Sequence, residues 1–171
     1  MAEKLLHAGA QGAAKSSLYQ AKQGLSKEHA RAGFASFDMV RYGSNQKLCK
    51  DERLSRETLL NKLFKEGKSV SQNGFTLVYL NTPLPAIYPA QAAFSVPKRY
   101  FKKATHRNTI KRYLREAYRK NKLPLYQKLV TEKQQLALML IYKHPQLPNY
   151  NQVVENVNSL ITKLIERLKF S

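Results

Sequence analysis

The sequence predicts an α/β (α+β) two-layer sandwich, in which a mixed sheet of about four strands packs against three helices. Three short segments, 75–80, 91–96 and 136–142, have the apolar patterns that are typical of strands. Amphipathic helical patterns lie before, between and after these segments. Because the last two strands flank a helix, we expect one βαβ crossover in a single compact domain.

Two helices are predicted at the ends of the domain. The first repeats apolar residues at helical spacing, namely Leu59, Leu60, Leu63 and Phe64. Ser55 is a plausible N-cap for this helix, and Gly67 is a natural C-terminal stop. The last helix follows Pro148, with Asn149 or Asn151 as its cap. Its apolar face, which we expect to pack on the sheet, consists of Val153, Val154, Val157, Leu160, Ile161, Leu164, Ile165 and Leu168.

The strands differ in how much of each is expected to be covered. The segment 75–80 alternates Phe75, Leu77 and Tyr79 against Thr76, Val78 and Leu80, which indicates a strand with two different faces. A proline-rich connection leads to 91–96 and suits an antiparallel return. The segment 136–142 is apolar throughout, which predicts a central strand that is covered on both faces.

The charge balance indicates a polyanionic partner. Thirty Lys and Arg stand against eleven Asp and Glu, a net charge of +19, while 43% of the residues are hydrophobic. This combination is typical of a folded basic protein that binds nucleic acid or an anionic membrane surface. The chain has no apolar run of about 20 residues that could span a bilayer, and its start is too polar for a secretory signal. We therefore expect a cytoplasmic protein.

Residues 1–50 are predicted to form a basic N-terminal extension, and residues 51–171 the folded domain. The extension carries eight basic and three acidic residues, is rich in Ala, Gly, Ser and Gln, and has no sustained apolar period. We expect it to be flexible or only locally helical. An organellar transit segment is an alternative, which is weakened by the presence of only two arginines. The single cysteine, Cys49, excludes a disulfide scaffold and a Cys-based zinc site.

A helix with two unlike faces is predicted after the 91–96 strand. Eleven basic residues and one acid, Glu116, lie between positions 98 and 122. The apolar face comprises Ile110, Tyr113, Leu114 and Ala117, and the opposite face comprises Asn108, Lys111, Arg112, Arg115 and Arg119. We expect Glu116 to relieve the repulsion at Arg112 and Lys120 only. RNA phosphates would supply the missing negative charge.

The loop before this helix interleaves cations with aromatic rings. Lys98, Arg99, Lys102 and Lys103 surround Tyr100 and Phe101, a composition that suits irregular or single-stranded RNA. Phe101 could equally anchor the loop on the core, and the sequence leaves both interpretations open.

The stretch SVPKRYFKKATHRNTIKRYLREAYRK resembles the signature of the bacterial ribonuclease P protein component. Arg107 and Asn108 match the opening pair of that motif, and the rest is matched by Lys111, Arg112, Arg115 and Glu116. Thr109 stands where the family usually has a second arginine. The resemblance extends over residues 50–170, because RLSRETLLNKLFKEGKSV is similar to the family's opening helix and turn, and the strands follow in the same order.

The resemblance implies a fold with a left-handed βαβ crossover, against the general preference for right-handed ones. It also implies that the basic loop and helix bind a large catalytic RNA, through Lys98, Arg99, Lys102, Lys103, Arg107, Asn108, Lys111, Arg112, Arg115 and Arg119. A cleft between the sheet and the first helix would hold the 5′ leader of precursor tRNA. Its expected residues are Phe64, Phe75, Tyr79 and Phe94, with Arg53, Lys65 and Lys68 at the edge. A plain core role is the alternative for each of these aromatic residues, because strand alternation does not tell which face of the sheet is exposed. Leu60 stands where relatives often have an aromatic residue.

The expected activity is that of a subunit of an endoribonuclease, whose catalysis is supplied by the RNA partner. We expect no catalytic residue, metal site or cofactor on the protein, and Mg²⁺ bound by the RNA. The histidines show no ligand spacing; they are His7, His29, His106 and His144. The expected partners are ribonuclease P RNA and precursor tRNA, with no membrane and no small-molecule substrate.

Two other functions compete with this interpretation. A ribosomal protein or RNA chaperone would share the charge, the size and a basic helix, and an autonomous nuclease would cut RNA without an RNA partner. The compact basic motif directly after a strand favours the ribonuclease P protein, because a general RNA-binding protein does not require that spacing.

Overall fold

The computed structural model describes residues 47–168. A short 3-10 turn, Lys50–Glu52, opens this part of the chain. The elements that follow are α1 Glu57–Glu66, β1 Lys68–Gln72, β2 Phe75–Asn81, β3 Ala90–Ser95, α2 Ala104–Asn121, α3 Leu123–Thr131, β4 Leu136–Tyr142 and α4 Tyr150–Arg167. In this described part no helix is long and apolar enough to cross a membrane.

The sheet is mixed and has the strand order β1-β2-β4-β3. Strand β4 pairs antiparallel with β2 and parallel with β3. All seven of its residues are buried, which confirms the prediction of a central strand covered on both faces. Strands β2 and β3 do run in opposite directions, but β4 lies between them, so the connection after β2 is not a hairpin.

The fourth strand, β1, forms a hairpin with β2. The connecting residues Asn73 and Gly74 have φ values of 49° and 78°, as two-residue hairpin turns of this sequence require. The sequence analysis assigned no strand to 68–72, because Val70 is the one apolar residue of this segment and no alternation is visible. The Asn-Gly pair is the sequence signal that could have identified this strand.

The crossover between β3 and β4 contains a second helix, α3, that the sequence analysis had not assigned. Pro124 lies in its first turn, where the missing N–H costs nothing because that group has no helical partner. Leu125, Tyr126 and Leu129 of α3 are fully buried. The described residues therefore contain four α-helices in place of the three predicted. The handedness of the crossover stays a prediction from the resemblance.

The two faces of the sheet bury different side chains. Phe75, Leu77 and Tyr79 belong to the larger core, to which α2, α3 and α4 also contribute. On the opposite face Val78 and Leu80 pack with α1 and with the other side of β4. The alternation of β2 was thus predicted correctly, and helices cover both of its faces.

Helix α2 buries the predicted apolar face. Ile110, Leu114 and Ala117 have no exposed surface, and Tyr113 is half-buried with its ring 5.5 Å from that of Tyr150 on α4. Tyr118, which the helical projection did not include, is also fully buried.

The predictions of Gly67 as the end of α1 and of Asn149 as the cap of α4 are confirmed, whereas the prediction of Ser55 as the cap of α1 was wrong. Arg56, rather than Ser55, directly precedes α1, and Gly67 ends the helix. A Cβ atom at Gly67 would lie 2.2 Å from the carbonyl oxygen of Leu63, so the position needs glycine for close approach. Asn149 directly precedes α4, and its N–H donates to the side chain of Gln152 at 3.0 Å, which decides between the two candidate caps.

A buried ion pair joins the start of the described chain to the junction of α2 and α3. The ammonium of Lys122 lies 2.6 Å from the carboxylate of Glu52, and their side chains are 3% and 0% exposed. The same carboxylate accepts a hydrogen bond from the hydroxyl of Tyr126 and another from the N–H of Cys49, each at 2.7 Å. Burial lowers the pKa of Lys122, and the charge and hydrogen bond of Glu52 oppose that shift.

The predicted N-terminal extension, residues 1–50, lies outside the described residues except for positions 47–50. There, the carbonyl of Lys47 accepts a hydrogen bond from Lys122, and Leu48 packs on the larger core. The ion pair and Leu48 therefore attach residues 47–52 to the domain.

We predict that Ile110→Ala or Leu114→Ala lowers the free energy of unfolding by about 2–5 kcal/mol, because each truncation leaves a cavity in a fully buried site. Urea unfolding followed by circular dichroism measures this. Asn108→Ala, on the exposed side of the same helix, is the control and should change stability by less than about 0.5 kcal/mol. Equal effects of the three changes would show that the helix is rotated from the orientation described.

We predict that Lys122→Met destabilises the domain by about 3–5 kcal/mol, because it leaves the Glu52 carboxylate buried without a cation. The double change Lys122→Met with Glu52→Gln should be less destabilising than the single change, since it removes the buried charge as well. Lys120→Met, at an exposed position near the same helix end, is the control in the same unfolding assay. A double change at least as destabilising as the single one would contradict the prediction.

Candidate nucleic-acid interface

The exposed face of α2 carries the basic residues that the sequence placed there. Arg112, Arg115 and Asn108 are exposed, and Lys111 and Arg119 are half-buried. Within residues 47–168, Lys111, Arg112 and Arg115 form no ion pair. This face therefore has cations that are available to an anionic ligand.

Glu116 neutralises a different arginine from the one expected. Its carboxylate accepts two hydrogen bonds from the guanidinium of Arg119, at 2.9 and 2.6 Å, and lies 4.0 Å from Lys120. The bond from Arg119 lowers the pKa of Glu116. The expected pairing with Arg112 was wrong, because the i,i+3 arginine on the C-terminal side makes the closer contact. Among the cations of this face that form no ion pair within residues 47–168, Arg112 and Arg115 are the exposed ones, and Lys111 is half-buried.

The basic loop before α2 is fixed to the core by Phe101. This ring is 6% exposed and stacks on Tyr142 at 6.1 Å between centroids, with His106 edge-on to it at 6.4 Å. The structure therefore decides the open question in favour of a core anchor. Tyr100 is half-buried, and the guanidinium of Arg99 lies 4.8 Å from its ring centre.

Arg107, near the start of α2, holds the basic loop in place through hydrogen bonds to its backbone. Its Nη1 donates to the carbonyls of Phe101 and Lys102, at 2.8 and 2.7 Å. These bonds fix the loop backbone beside the first turn of α2. The four loop cations remain exposed; they are Lys98, Arg99, Lys102 and Lys103. The loop and the helix face thus present cations from one rigid unit.

Residues 47–53 face the basic side of α2. A groove of about 480 Å³ lies between residues 47–53 and the helix, and its lining consists of Lys47, Leu48, Arg53, Arg112, Arg115, Glu116 and Arg119. The sequence analysis did not include Lys47 and assigned Arg53 to the leader cleft. No sequence signal could have placed these two residues here, because their position depends on the contact between Glu52 and Lys122, 70 residues apart.

Three of the aromatic residues assigned to the leader cleft lie on the other face of the sheet. Phe75 and Tyr79 are 3% and 7% exposed within the larger core, and Phe94 packs edge-on against Tyr118 of α2. The assignment of these three to a cleft beside α1 was wrong, because strand alternation does not reveal which face each helix covers. Phe64, on α1, is 61% exposed and remains a candidate.

The three cations assigned to the edge of that cleft are not brought together. Lys65 and Lys68 are exposed at the end of α1 and the start of β1, one edge of the sheet. The backbone of Arg53 forms an isolated parallel β-bridge with Ala92 of β3, the strand at the other edge of the sheet. Four strand spacings, roughly 19 Å, separate Lys68 from Arg53. Arg53 therefore belongs with the α2 groove.

The sheet face beside α1 is formed by other residues than those expected. Val78, Leu80 and Ala93 lie there with Met139 and Ile141, and Leu60 of α1 packs against them.

In the part of the chain that the structure describes, no cluster of three His, Cys, Asp or Glu side chains could hold a metal ion.

Comparison with known proteins addresses the family directly. The model of the family described as Ribonuclease P matches residues 48–165, which is more than half of the chain. The comparison with curated protein sequences returns no match.

Solved structures of bacterial RNase P proteins are similar in fold. The Staphylococcus aureus RNase P protein solved at 2.0 Å is 20% identical with a TM-score of 0.51, over 66% of this chain and 94% of that one. A further structure of the Staphylococcus aureus RNase P protein is 19% identical with a TM-score of 0.50, over 73% and 97%. The RNase P protein from Thermotoga maritima is 23% identical with a TM-score of 0.48, over 69% and 98%.

The motif around Arg107, the mixed sheet with its basic crossover helix, and the family match over residues 48–165 agree with one another. The chain therefore belongs to the ribonuclease P family, and it shares its fold with a bacterial RNase P protein.

Proposed function

We propose that the chain binds the catalytic RNA of ribonuclease P and assists that RNA in removing the 5′ leader of precursor tRNA. The observation that carries this proposal is the separation of the two faces of α2. Ile110 and Leu114 are sealed in the core, while Arg112 and Arg115 lie exposed without an ion pair among residues 47–168.

Electrostatics supports RNA as the partner of this face. Exposed like charges at i,i+3 spacing repel by a few tenths of a kcal/mol, and phosphates would remove that cost. Each neutralised phosphate also releases condensed cations, which favours binding at low salt. A guanidinium grips two phosphate oxygens at once, which a lysine ammonium cannot do. The basic loop would extend the same contact beyond the N-terminus of α2.

The leader of precursor tRNA is proposed to bind on the α1 side of the sheet. Phe64 offers an exposed ring on which a base could stack, and the exposed Lys65 and Lys68 follow it within four residues of sequence. The apolar residues Val78 and Leu80 would form the floor beneath the leader. Leader binding thus needs fewer aromatic residues here than the sequence suggested.

The chemical step is proposed to depend on Mg²⁺ ions bound by the RNA. Metal ions can activate water and stabilise the charge that develops on a phosphate during its hydrolysis. The protein would contribute positioning and charge screening, which allow two polyanionic RNAs to approach each other.

We predict that the full chain stimulates precursor-tRNA cleavage by a bacterial ribonuclease P RNA at low Mg²⁺, where RNA repulsion is poorly screened. Cleavage of a labelled precursor is followed on a denaturing gel, with the chain alone and the RNA alone as controls. Binding to the RNA without stimulation would instead support a ribosomal protein or RNA chaperone. Cleavage by the chain alone would indicate an autonomous nuclease.

We predict that Arg112→Ala with Arg115→Ala weakens binding to ribonuclease P RNA and lowers the slope of log K against log salt by roughly one for each lost phosphate contact. The control is Lys163→Ala with Arg167→Ala, which removes the same charge from α4 near β1. Thermal melts check that both variants fold. If the two salt slopes fall equally, the α2 face is not the binding surface.

A further inference from the structure

A second cleft lies at the β3 edge of the sheet, next to the α2 groove. It has a volume of about 490 Å³, between residues 50–56 and the loop that enters β3. This volume falls within the range of about 300–1,000 Å³ that is usual for ligand sites. Arg53 lines both this cleft and the α2 groove, so the two concave surfaces adjoin each other.

Both walls of the cleft are held by hydrogen bonds. The side chain of Gln135 accepts from the N–H of Leu84 at 2.7 Å and donates to the carbonyls of Ala86 and Tyr88 at 2.8 and 3.2 Å. On the other wall, the N–H of Leu54 donates to Ala92 at 3.0 Å, beside the buried Glu52. The side chain of Gln91 donates to the carbonyl of Asp51 at 2.7 Å and joins the two walls. The cleft is therefore formed before any ligand arrives, which reduces the entropic cost of binding.

One wall of the cleft is cationic. Lys50, Arg53 and Arg56 are exposed and form no ion pair within residues 47–168, and Asp51 is the one acid among the lining residues. Three cations at the rim of one concave surface favour a ligand with more than one negative charge.

The other wall is apolar. Ile87 is 47% exposed, and Pro85 and Tyr88 lie on either side of it in the loop. Burial, together with a hydrogen bond to the thiol of Cys49, raises the pKa of Tyr88 to about 12. A tyrosine phenol is neutral at physiological pH even at its ordinary pKa, so Tyr88 adds no negative charge to the cleft. A phosphate alone would leave this apolar wall unused, whereas a nucleotide would occupy both walls.

We propose that this cleft binds one or two nucleotides of single-stranded RNA, with phosphates on Lys50, Arg53 and Arg56 and a base or ribose against Ile87. The proposal rests on the proposed function in one respect. Arg53 lines both surfaces, so a strand that continues from RNA bound on α2 would contact Arg53 and enter the cleft. The ligand is a single strand, because an exposed base is needed to reach an apolar wall inside a concave site.

The test uses the full chain and a fluorescein-labelled uridine decamer, whose binding is followed by fluorescence anisotropy over a series of salt concentrations. The variant Lys50→Gln with Arg56→Gln alters the cleft and leaves the shared Arg53 in place. The matched control is Lys163→Gln with Arg167→Gln, which changes one lysine and one arginine on α4 near β1, the opposite edge of the sheet. Both variants have the same net charge, so any difference between them reports position.

We expect the cleft variant to lower the salt slope by about 1.4, since each phosphate contact on a single strand contributes about 0.7. The control should bind the decamer with the slope of the unchanged protein. Equal slopes for the two variants would overturn the proposal, and would be the result if the cleft held a protein segment or only solvent.

A second variant tests the apolar wall. We expect Ile87→Ala to weaken decamer binding at every salt concentration while the slope stays the same, because it removes apolar contact and no charge. Because Ile87 is half-exposed, its truncation removes little core packing, and a thermal melt verifies that the variant folds. Unchanged affinity of Ile87→Ala would overturn the proposal that a base or ribose lies against this wall.

Failure of the cleft proposal and failure of the proposed function give different results. Decamer binding is measured without ribonuclease P RNA, and the same variants are then compared in the reconstituted cleavage assay. Cleavage stimulation by the unchanged protein combined with equal decamer slopes would remove the cleft proposal alone. Absence of stimulation by the unchanged protein would remove the proposed function and leave the decamer result to be judged by itself.

Discussion

The contact between Glu52 and Lys122 determines the shape of the basic surface. It holds residues 47–53 against the junction of α2 and α3, and thereby places Lys47 and Arg53 opposite the cations of α2. Burial of two charges is a poor source of stability, because the loss of hydration offsets most of the attraction. The pair does specify one position for the segment, since the carboxylate also bonds Tyr126 and the Cys49 N–H. Both the α2 groove and the adjoining cleft depend on that position.

The cations on this surface divide between structural and available roles. Arg107 holds the loop carbonyls, and Arg119 is paired with Glu116. Arg112 and Arg115 have no such contact among the described residues and are exposed. The motif is uniformly basic in sequence, but its arginines have two roles. Some hold the surface in place through hydrogen bonds, and others are available to bind phosphate. The distinction follows from geometry, because a guanidinium has enough donors to reach neighbouring carbonyls when the backbone lies within range.

Local patterns in the sequence predicted the parts of the fold that depend on periodicity. The buried β4 and the two faces of α2 follow from residue spacing, which burial enforces directly. The leader residues Phe75, Tyr79 and Phe94 were misplaced, because which helix covers which sheet face is set by contacts between distant segments. The role of Glu52 could also not be predicted from the sequence, since an acid flanked by Asp51 and Arg53 has no local sign of burial.

The position of β4 in the sheet affects the order in which parts of the domain can fold during synthesis. Strands β2 and β3 do not pair with each other and are joined in the sheet only through β4, which comes later in the chain. Helix α2 precedes β4 in the chain, so its apolar side leaves the ribosome before the strand that completes the sheet beneath it. A positively charged helix with an uncovered apolar side is prone to wrong contacts, and such late, long-range strand pairing is slow. Entry of β4 into the sheet thus completes the support for α2, whose basic side is then the one that stays exposed.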